Sequence, residues 1–266
     1  MSLVFDSAER AVVGLHQAPE FDRPREKLVR QVDARCSGVV LMAGGNGKRL
    51  APLTHVRPKP LLKVGRRPIL ETIVMNFARQ GFARFWLSVN YLGDMIEQHF
   101  GDGARWGVDI EYLREGAPLG TAGALSLLTE TPRLPIVVMN ADVLTDIDFF
   151  AVLEAHRARG AAVTVCVRDQ EVSVPYGVVD ENGGYLTAFR EKPVQSFLIN
   201  TGIYVIEPAV LGAIPSGRAV DMPNVLETIR GVGGRVYVHK IDGYWCDIGQ
   251  KHDLDRANAE FEEYFT

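Results

Sequence analysis

Short apolar runs alternate with amphipathic stretches along most of this chain. Gly38–Met42 is an all-apolar run followed by glycines, which is typical of a strand buried on both faces. Pro68 opens a stretch with apolar residues at helical spacing, and Gly81 closes it, which predicts a helix. The same patterns predict further strands over residues 84–89, 109–113 and 135–139, and further helices near residues 95–100 and from about Thr121.

The alternation of strands and helices predicts an α/β fold. We expect a Rossmann-like, mostly parallel mixed sheet with helices on both faces. Residues 161–205 are richer in strands and turns, which predicts a smaller, strand-rich lobe. Residues 1–36 are charged and interrupted by proline, so we expect an N-terminal arm or linker followed by one domain over residues 37–266.

Composition narrows the class of protein. The chain has 266 residues, of which 47% are hydrophobic and 23% charged, a balance typical of a soluble globular protein. Its net charge of −4 argues against a broad nucleic-acid-binding surface. Three widely spaced cysteines favour a reducing cytoplasm over a disulfide framework. Neither a membrane span nor a secretory leader is predicted, because no apolar run is long enough and the first residues lack an apolar core.

The first predicted strand leads into a glycine-rich loop, residues 43–50. Ligands of open α/β sheets bind at the carboxyl ends of strands, and glycines let backbone N–H groups approach phosphate closely. A dinucleotide-binding loop is excluded because Leu50 stands where its third glycine belongs. A P-loop is excluded because Arg49 replaces its Ser or Thr and Met42 replaces its first glycine. A simple glycine turn beside two surface cations stays open for the loop taken alone.

Three motifs in order are far more specific than the loop. Gly-Gly-x-Gly-x-Arg-Leu-x-Pro-Leu-Thr begins at Gly44, Arg-Pro-Lys-Pro-Leu begins at Arg57, and Val-Gly-x-x-Pro-Ile-Leu begins at Val64. This series closely resembles the signature of the sugar-1-phosphate nucleotidylyltransferases, and most of all the GDP-sugar guanylyltransferases. The resemblance extends over residues 37–265. The chain departs from the family pattern at Lys48, where Thr is usual, and at Ala141, where Gly is usual.

The resemblance implies a role for particular residues. Arg49, Lys59 and Lys192 would be the catalytic cations, a role that suits phosphoryl-type transfer because charge stabilisation dominates it. Asp142 and Asp247 would hold Mg²⁺, a cation that prefers oxygen ligands. The nucleotide would contact Ala43, Gly44, Gly45, Gly47, Glu115, Gly120 and Thr121. The sugar phosphate would contact Tyr176, Gly177, Glu191, Lys192, Asn200 and Thr201.

Structural explanations remain for several of these residues. Asp142 could be a turn or helix-cap aspartate, and Asp247 could cap the helix predicted near residues 250–263. Glu115 could be an exposed loop acid, and Asn90 could merely close a turn.

The resemblance implies an enzyme that joins a nucleoside triphosphate to a hexose or aminohexose 1-phosphate and releases pyrophosphate, with GTP favoured. A uridylyltransferase of the same family is the nearest alternative. A non-catalytic nucleotide-sugar sensor would be expected to have lost Arg49, Lys59, Asp142 or Asp247, yet all four are present. A glycosyltransferase would be expected to carry an Asp-x-Asp motif, whereas this chain has Asn140-Ala141-Asp142. The sequence leaves homo-oligomerisation open.

Overall fold

The structure is a computed structural model that describes residues 32–33 and 36–265. Most of the predicted N-terminal arm, residues 1–31 and 34–35, lies outside the described residues. Val32 and Cys36 pack into the core of the domain that follows.

The described residues form an α/β unit. Its strands are β1 Gly38–Met42, β2 Lys63–Val64, β3 Arg67–Pro68, β4 Arg84–Val89, β5 Asp109–Arg114, β6 Ile136–Asn140, β7 Val143–Thr145, β8 Val163–Ser173, β9 Val178–Asn182, β10 Tyr185–Arg190, β11 Val194–Ile206, β12 Val236–Lys240 and β13 Trp245–Asp247. Its α-helices are α1 Ile69–Arg79, α2 Gly93–Phe100, α3 Phe149–Arg159, α4 Pro208–Leu211, α5 Met222–Gly231 and α6 Lys251–Tyr264. None of these helices is long and apolar enough to cross a membrane.

A seven-stranded sheet in the order β12-β8-β11-β6-β1-β4-β5 forms the centre of the fold. Strand β1 pairs in parallel with β4 and with β6, and β4 pairs in parallel with β5. Only β11 runs against its neighbours, pairing antiparallel with β6 and β8. The predicted mostly parallel mixed sheet is therefore confirmed. Its consequence is that β1, β4, β5 and β6 all present their carboxyl ends at one edge.

Both faces of the sheet are covered, which explains why β1 is apolar throughout. Val39 and Leu41 pack into one core cluster together with residues of α1, α2, α3 and α6. Val40, between them, points to the opposite face and joins a second cluster that includes residues of α4 and α5. Burying alternate side chains in separate clusters requires an unbroken apolar strand. The predicted helices on both faces are confirmed.

The structure has the strand-rich lobe, but over residues 169–199 and not over the predicted 161–205, because residues 163–167 and 203–206 pair within the main sheet. The outer halves of β8 and β11 pair beyond the main sheet, with Leu198 opposite Asp169 and Val194 opposite Ser173. Strands β9 and β10 form a hairpin of their own. The β8–β11 pairing is irregular between Asn200 and Tyr204. This irregularity marks the place where β11 leaves the lobe and enters the main sheet.

The helix predicted from about Thr121 is wrong in type and extent. Residues Gly123–Leu127 form a short 3-10 helix instead. The backbone N–H groups of Ala122 and Gly123 donate to the carbonyl of Val220, and Val220 donates to Leu119 in return. These bonds fix the start of this segment against a distant part of the chain, and the helical turn that follows is only five residues long.

Candidate active site

The glycine-rich loop lies at the carboxyl end of β1, as its sequence predicts. The N–H of Ala43 donates to the carbonyl of Ser88 at 2.9 Å, which keeps the loop's start beside β4. Gly47 adopts a left-handed conformation with φ 61°. A Cβ atom at Gly47 would lie 2.9 Å from the methyl carbon of Thr54, whose hydroxyl donates to the Gly47 carbonyl at 3.0 Å. Glycine is therefore required at this turn both by conformation and by space.

A cavity of about 240 Å³, which we call the cation cavity, opens beside the loop. Its lining contains three cations, Lys48, Arg49 and Lys59. Arg49 lies against a glycine, because a Cβ atom at Gly249 would come within 3.3 Å of its Nη1. Lys59 is only 8% exposed and donates a hydrogen bond to Asp142 Oδ2. The two predicted catalytic cations of this region thus line one cavity, and one of them is paired with a carboxylate.

The predicted metal ligands come from two segments that the fold holds side by side. Asp142 follows β6, and Asp247 ends β13, where it pairs with Val143 of β7. The N–H of Ile248 donates to the carbonyl of Asp142 at 3.0 Å, which ties the two segments together. The carboxylates are close enough to interact electrostatically. Burial raises the pKa of Asp247 most, the charge of Asp142 raises it further, and Lys59 and Arg49 oppose the rise.

This carboxylate pair fits a hard divalent cation. Asp247 Oδ1 is buried and has no hydrogen-bond partner among the residues that the structure describes, which is costly unless something positive binds it. Within the part of the chain that the structure describes, no group of three or more His, Cys, Asp or Glu side chains converges on one point. Mg²⁺ commonly binds one or two carboxylates and takes its remaining ligands from water and substrate phosphates. Two aspartates are therefore a sufficient protein contribution.

A second cavity of about 320 Å³, the Glu115 cavity, lies across the glycine loop. It shares Met42, Gly45, Asn46 and Asp142 with the cation cavity, so the two spaces adjoin. Its other lining residues are Gly44, Ser88, Asn90, Glu115, Pro118, Gly120, Thr121 and Asn140. All of the predicted nucleotide-binding residues therefore line one cavity or the other. Asn90 does so as well, and its side chain donates to the Glu115 carbonyl at 2.8 Å.

The segment after Glu115 is fixed to the start of α5. Gly120 has φ 76°, and a Cβ there would lie 2.7 Å from the carbonyl oxygen of Val220. The backbone N–H of Thr121 donates to Asp221 Oδ1 at 3.0 Å, and its hydroxyl accepts from Met222 at 2.8 Å. Glycine at position 120 thus permits close contact between two backbones. Thr121 holds the cavity wall in place.

The predicted sugar-binding residues lie apart from these cavities, on the lobe and at its base. Gly177 and Glu191 meet there, since a Cβ at Gly177 would lie 3.1 Å from Glu191 Oε2. Tyr176 is 73% exposed, and Lys192 has the unusual φ of 43°. The linings of both cavities contain none of these four side chains.

Asn200 and Thr201 lie where the lobe joins the sheet. The Asn200 amide donates to the Tyr204 hydroxyl at 2.6 Å, and its oxygen accepts from the Gly202 N–H at 3.0 Å. Thr201 is buried, and its hydroxyl donates to the carbonyl of Cys166 at 2.8 Å. The Thr201 side chain is consequently committed to the protein interior, whereas its backbone carbonyl accepts from Trp245 Nε1 at 3.0 Å.

Several residues at the cavities did not stand out in the sequence. Ser88 is the second-last residue of β4 and Asn140 is the last residue of β6, so their position at the carboxyl ends of predicted parallel strands was an available signal. Asp221 had no such signal, because it lies 100 residues from Thr121 and meets it only in the folded chain.

The comparisons with known proteins identify the family to which the chain belongs. A family model described as nucleotidyl transferase matches residues 38–264. A UTP–glucose-1-phosphate uridylyltransferase from Synechocystis is 36% identical over 239 residues, covering 82% of this chain and 61% of the relative. Mannose-1-phosphate guanyltransferase beta-A from Xenopus laevis is 36% identical over 225 residues, covering 81% of this chain and 62% of the relative. The chain therefore spans somewhat less than two thirds of the length of these relatives.

Solved structures share the fold. A putative glucose-1-phosphate thymidylyltransferase from Bacillus anthracis, in complex with a sucrose, superposes with a TM-score of 0.67 at 26% identity. The superposition covers 84% of this chain and 94% of that one. HddC from Yersinia pseudotuberculosis, complexed with GMP-PN, gives a TM-score of 0.66 at 23% identity and covers 84% of this chain and 99% of its own. With the family model matched along almost the whole described domain, the chain belongs to the nucleotidyl transferase family.

Proposed function

We propose that this protein is a Mg²⁺-dependent sugar-1-phosphate nucleotidylyltransferase. In the proposed reaction a nucleoside triphosphate, with GTP favoured, and a hexose or aminohexose 1-phosphate give a nucleotide sugar and pyrophosphate. The observation that carries the proposal is the cluster at the loop, where Lys59 pairs with Asp142 and a buried oxygen of Asp247 has no partner within residues 32–33 and 36–265. Such an arrangement suits a site that binds a cation and highly charged phosphates together.

The proposed chemistry is a direct in-line displacement at the α-phosphorus. An oxygen of the sugar 1-phosphate forms the new bond to phosphorus, and the bond from that phosphorus to the β-phosphate oxygen breaks. Pyrophosphate leaves with the electron pair, and Arg49 and Lys59 stabilise its charge. Lys192 and nearby backbone hold the attacking phosphate. A Mg²⁺ bound by Asp142 and Asp247 would act as a Lewis acid for phosphate oxygens.

Substrate binding divides between the two sides of the glycine loop in this proposal. The triphosphate lies along Ala43, Gly44, Gly45 and Gly47, and the base enters the Glu115 cavity next to Gly120 and Thr121. The lobe supplies Tyr176, Gly177, Glu191 and Lys192 for the sugar, with Asn200 and the Thr201 backbone at its base. Exposure of the lobe residues supports a role in contacting a ligand from outside the core.

The proposal also includes the domain boundaries and the cellular location. The family match begins at residue 38, which supports a boundary between an arm over residues 1–36 and a catalytic domain over 37–266. Three buried free cysteines support a cytoplasmic location.

Release of pyrophosphate from mixed substrates tests the reaction class. Purified protein with Mg²⁺ would be screened against GTP, UTP, dTTP, ATP and CTP, each with hexose and aminohexose 1-phosphates. We expect pyrophosphate release only when both substrates are present. A protein that binds nucleotide sugars but releases no pyrophosphate with any pair would be a sensor or a glycosyltransferase, and the proposal would be wrong.

The proposal also predicts that the enzyme prefers GTP to UTP, which is a more specific expectation than the reaction class. Guanine offers two adjacent donors, N1–H and the exocyclic amine, which one carboxylate accepts together. Uracil offers one N–H flanked by carbonyl oxygens that would face Glu115 with like polarity. We expect a higher kcat/KM with GTP, and a reduction of that preference by about 10- to 100-fold in Glu115→Gln. Glu111→Gln is the matched control, because Glu111 is a surface acid that pairs with Arg84 and lies in β5, the strand that Glu115 directly follows.

The result would go against the base assignment in two cases. One is a wild-type preference for UTP, as the uridylyltransferase relative would suggest. The other is a GTP preference that Glu115→Gln leaves unchanged.

A further inference from the structure

Ser88 is a polar residue in an otherwise apolar part of β4. Its neighbours Phe85, Trp86, Leu87 and Val89 are all buried, and Ser88 itself is 0% exposed. A buried hydroxyl needs a hydrogen-bond partner, and the Ser88 hydroxyl donates to Glu115 Oε1. Ser88 also borders the Glu115 cavity. The single polar side chain in this stretch of strand is thus directed at the acid that faces the cavity.

Glu115 is restrained from three directions. Ser88 donates to Oε1, and the backbone N–H of Leu119 donates to Oε2 at 2.8 Å. On the third side the carboxylate lies against the backbone of the glycine loop, since a Cβ atom at Gly44 would be 2.4 Å from Oε1. Leu119 and Gly44 contribute through their backbone, so Ser88 is the side chain that substitution can remove cleanly.

The acceptor capacity of Glu115 exceeds these two bonds. An ionised carboxylate has about four acceptor positions on its two oxygens. One donor on each oxygen leaves one free acceptor position on each. Two restrained oxygens also fix the rotation of the carboxylate group. A carboxylate that keeps acceptor capacity on both oxygens can accept from two adjacent N–H donors at once, and Glu115 borders the cavity where a base would bind.

We infer that Ser88 is a positioning residue that sets base selectivity by holding the Glu115 carboxylate in this orientation. The inference rests on the proposed function, because it takes Glu115 to be the residue that accepts from the base. Loss of the Ser88 hydroxyl lets the carboxylate rotate and weakens a paired contact more than a single one. A base with two adjacent donors should therefore lose more than a base with one.

The test compares base selectivity in substitutions of Ser88. In Ser88→Ala we expect kcat/KM for GTP to fall about tenfold, the usual scale for one hydrogen bond to a charged group, and kcat/KM for UTP to change by less than about threefold. The effect should appear in KM, with kcat at saturating GTP nearly unchanged, because base contacts are the same in ground and transition states. Binding of GTP alone, measured by titration calorimetry, should weaken in parallel.

Two further variants separate positioning from packing. Ser88→Cys keeps the volume but has a weak donor, so it should resemble Ser88→Ala in selectivity. Ser126→Ala is the matched control, because its hydroxyl donates to the Gly123 carbonyl away from Glu115, and it should keep the wild-type ratio. Melting temperatures establish that each variant is folded.

The possible outcomes distinguish this inference from the proposed function. A reduced GTP-to-UTP ratio in both Ser88 variants, with Ser126→Ala unchanged, supports the inference. A wild-type ratio in Ser88→Ala or in Ser88→Cys, while Glu115→Gln alters it, overturns the inference and leaves the base assignment standing. A ratio that Glu115→Gln does not alter overturns the base assignment and, with it, the role of Ser88.

Discussion

Asp142→Asn and Asp247→Asn are each expected to lower turnover by at least about 100-fold, the scale on which enzymes lose activity when one preorganised charge-stabilising group is removed. Both carboxylates meet at the cation cavity, and the amide of Asn is a neutral and weaker ligand for a hard cation. Asp247 should be at least as sensitive as Asp142, because its buried oxygen has no other partner among the described residues.

The measurement is the rate of pyrophosphate release at saturating Mg²⁺ and substrates, together with the thermal shift that Mg²⁺ produces. The wild-type protein should gain stability from Mg²⁺, and each variant should gain much less. Asp148→Asn is the matched control, since Asp148 caps α3 far from the cavity and Asn caps helices equally well. Near wild-type turnover in either cavity variant would show that its carboxylate is not a metal ligand.

Arg49→Ala and Lys59→Met are expected to lower kcat/KM by about 100-fold or more, because each removes a cation from the place proposed for pyrophosphate. Their effects on stability should differ. Arg49 has a glycine beside its guanidinium and forms no ion pair with a protein acid among the described residues, so its loss should leave the fold intact. Lys59 is buried against Asp142, and its loss leaves that carboxylate unpaired near Asp247.

Thermal and chemical unfolding without and with Mg²⁺ check this difference. Lys59→Met should destabilise the metal-free protein by about 2 kcal/mol, in the range for leaving a partly buried charge unpaired. Mg²⁺ should reduce the deficit by supplying positive charge at the same carboxylates. Arg133→Ala and Lys63→Met are controls that remove exposed cations outside the cation cavity. They should change neither kcat/KM nor the free energy of unfolding. A large loss of stability with normal activity in Arg49→Ala would mean that Arg49 is structural.

The strands around the site could be predicted from the sequence because a buried strand shows as a short apolar run. Gly38–Met42 and Arg84–Val89 have the predicted bounds, since a strand buried on both faces is largely apolar; in the second strand the two exceptions are Arg84, at its exposed start, and Ser88. Because these two strands are parallel, their carboxyl ends lie at one edge, and the glycine loop and Asn90 both line the Glu115 cavity there. The predicted N-terminal arm over residues 1–36 stays a prediction, because most of these residues lie outside the described part of the chain.

Contacts between distant segments could not be derived from local pattern. A 3-10 helix at Gly123–Leu127 stands where an α-helix was predicted, and the segment at its start is hydrogen-bonded to Val220, about 100 residues away. Motif spacing gave Lys59 and Asp142 separate roles and did not reveal that they pair with each other. The restraint on Glu115 from Ser88 and Leu119 likewise depends on how strands and loops meet. Burial of the Thr201 hydroxyl has the same origin.

The order of strands in the main sheet has a consequence for engineering. Strands β4 and β5 carry the Glu115 side of the site, and β8 and β11 carry the lobe, with β1 and β6 between them. Substitutions in groups that are well separated and share no partners usually have additive effects on free energy. Under the proposed assignments, the preference for the nucleoside triphosphate and the preference for the sugar 1-phosphate could therefore be altered separately. The two sets of substitutions could then be combined. Libraries directed at the Glu115 cavity and at residues 169–199 would not need to be searched jointly.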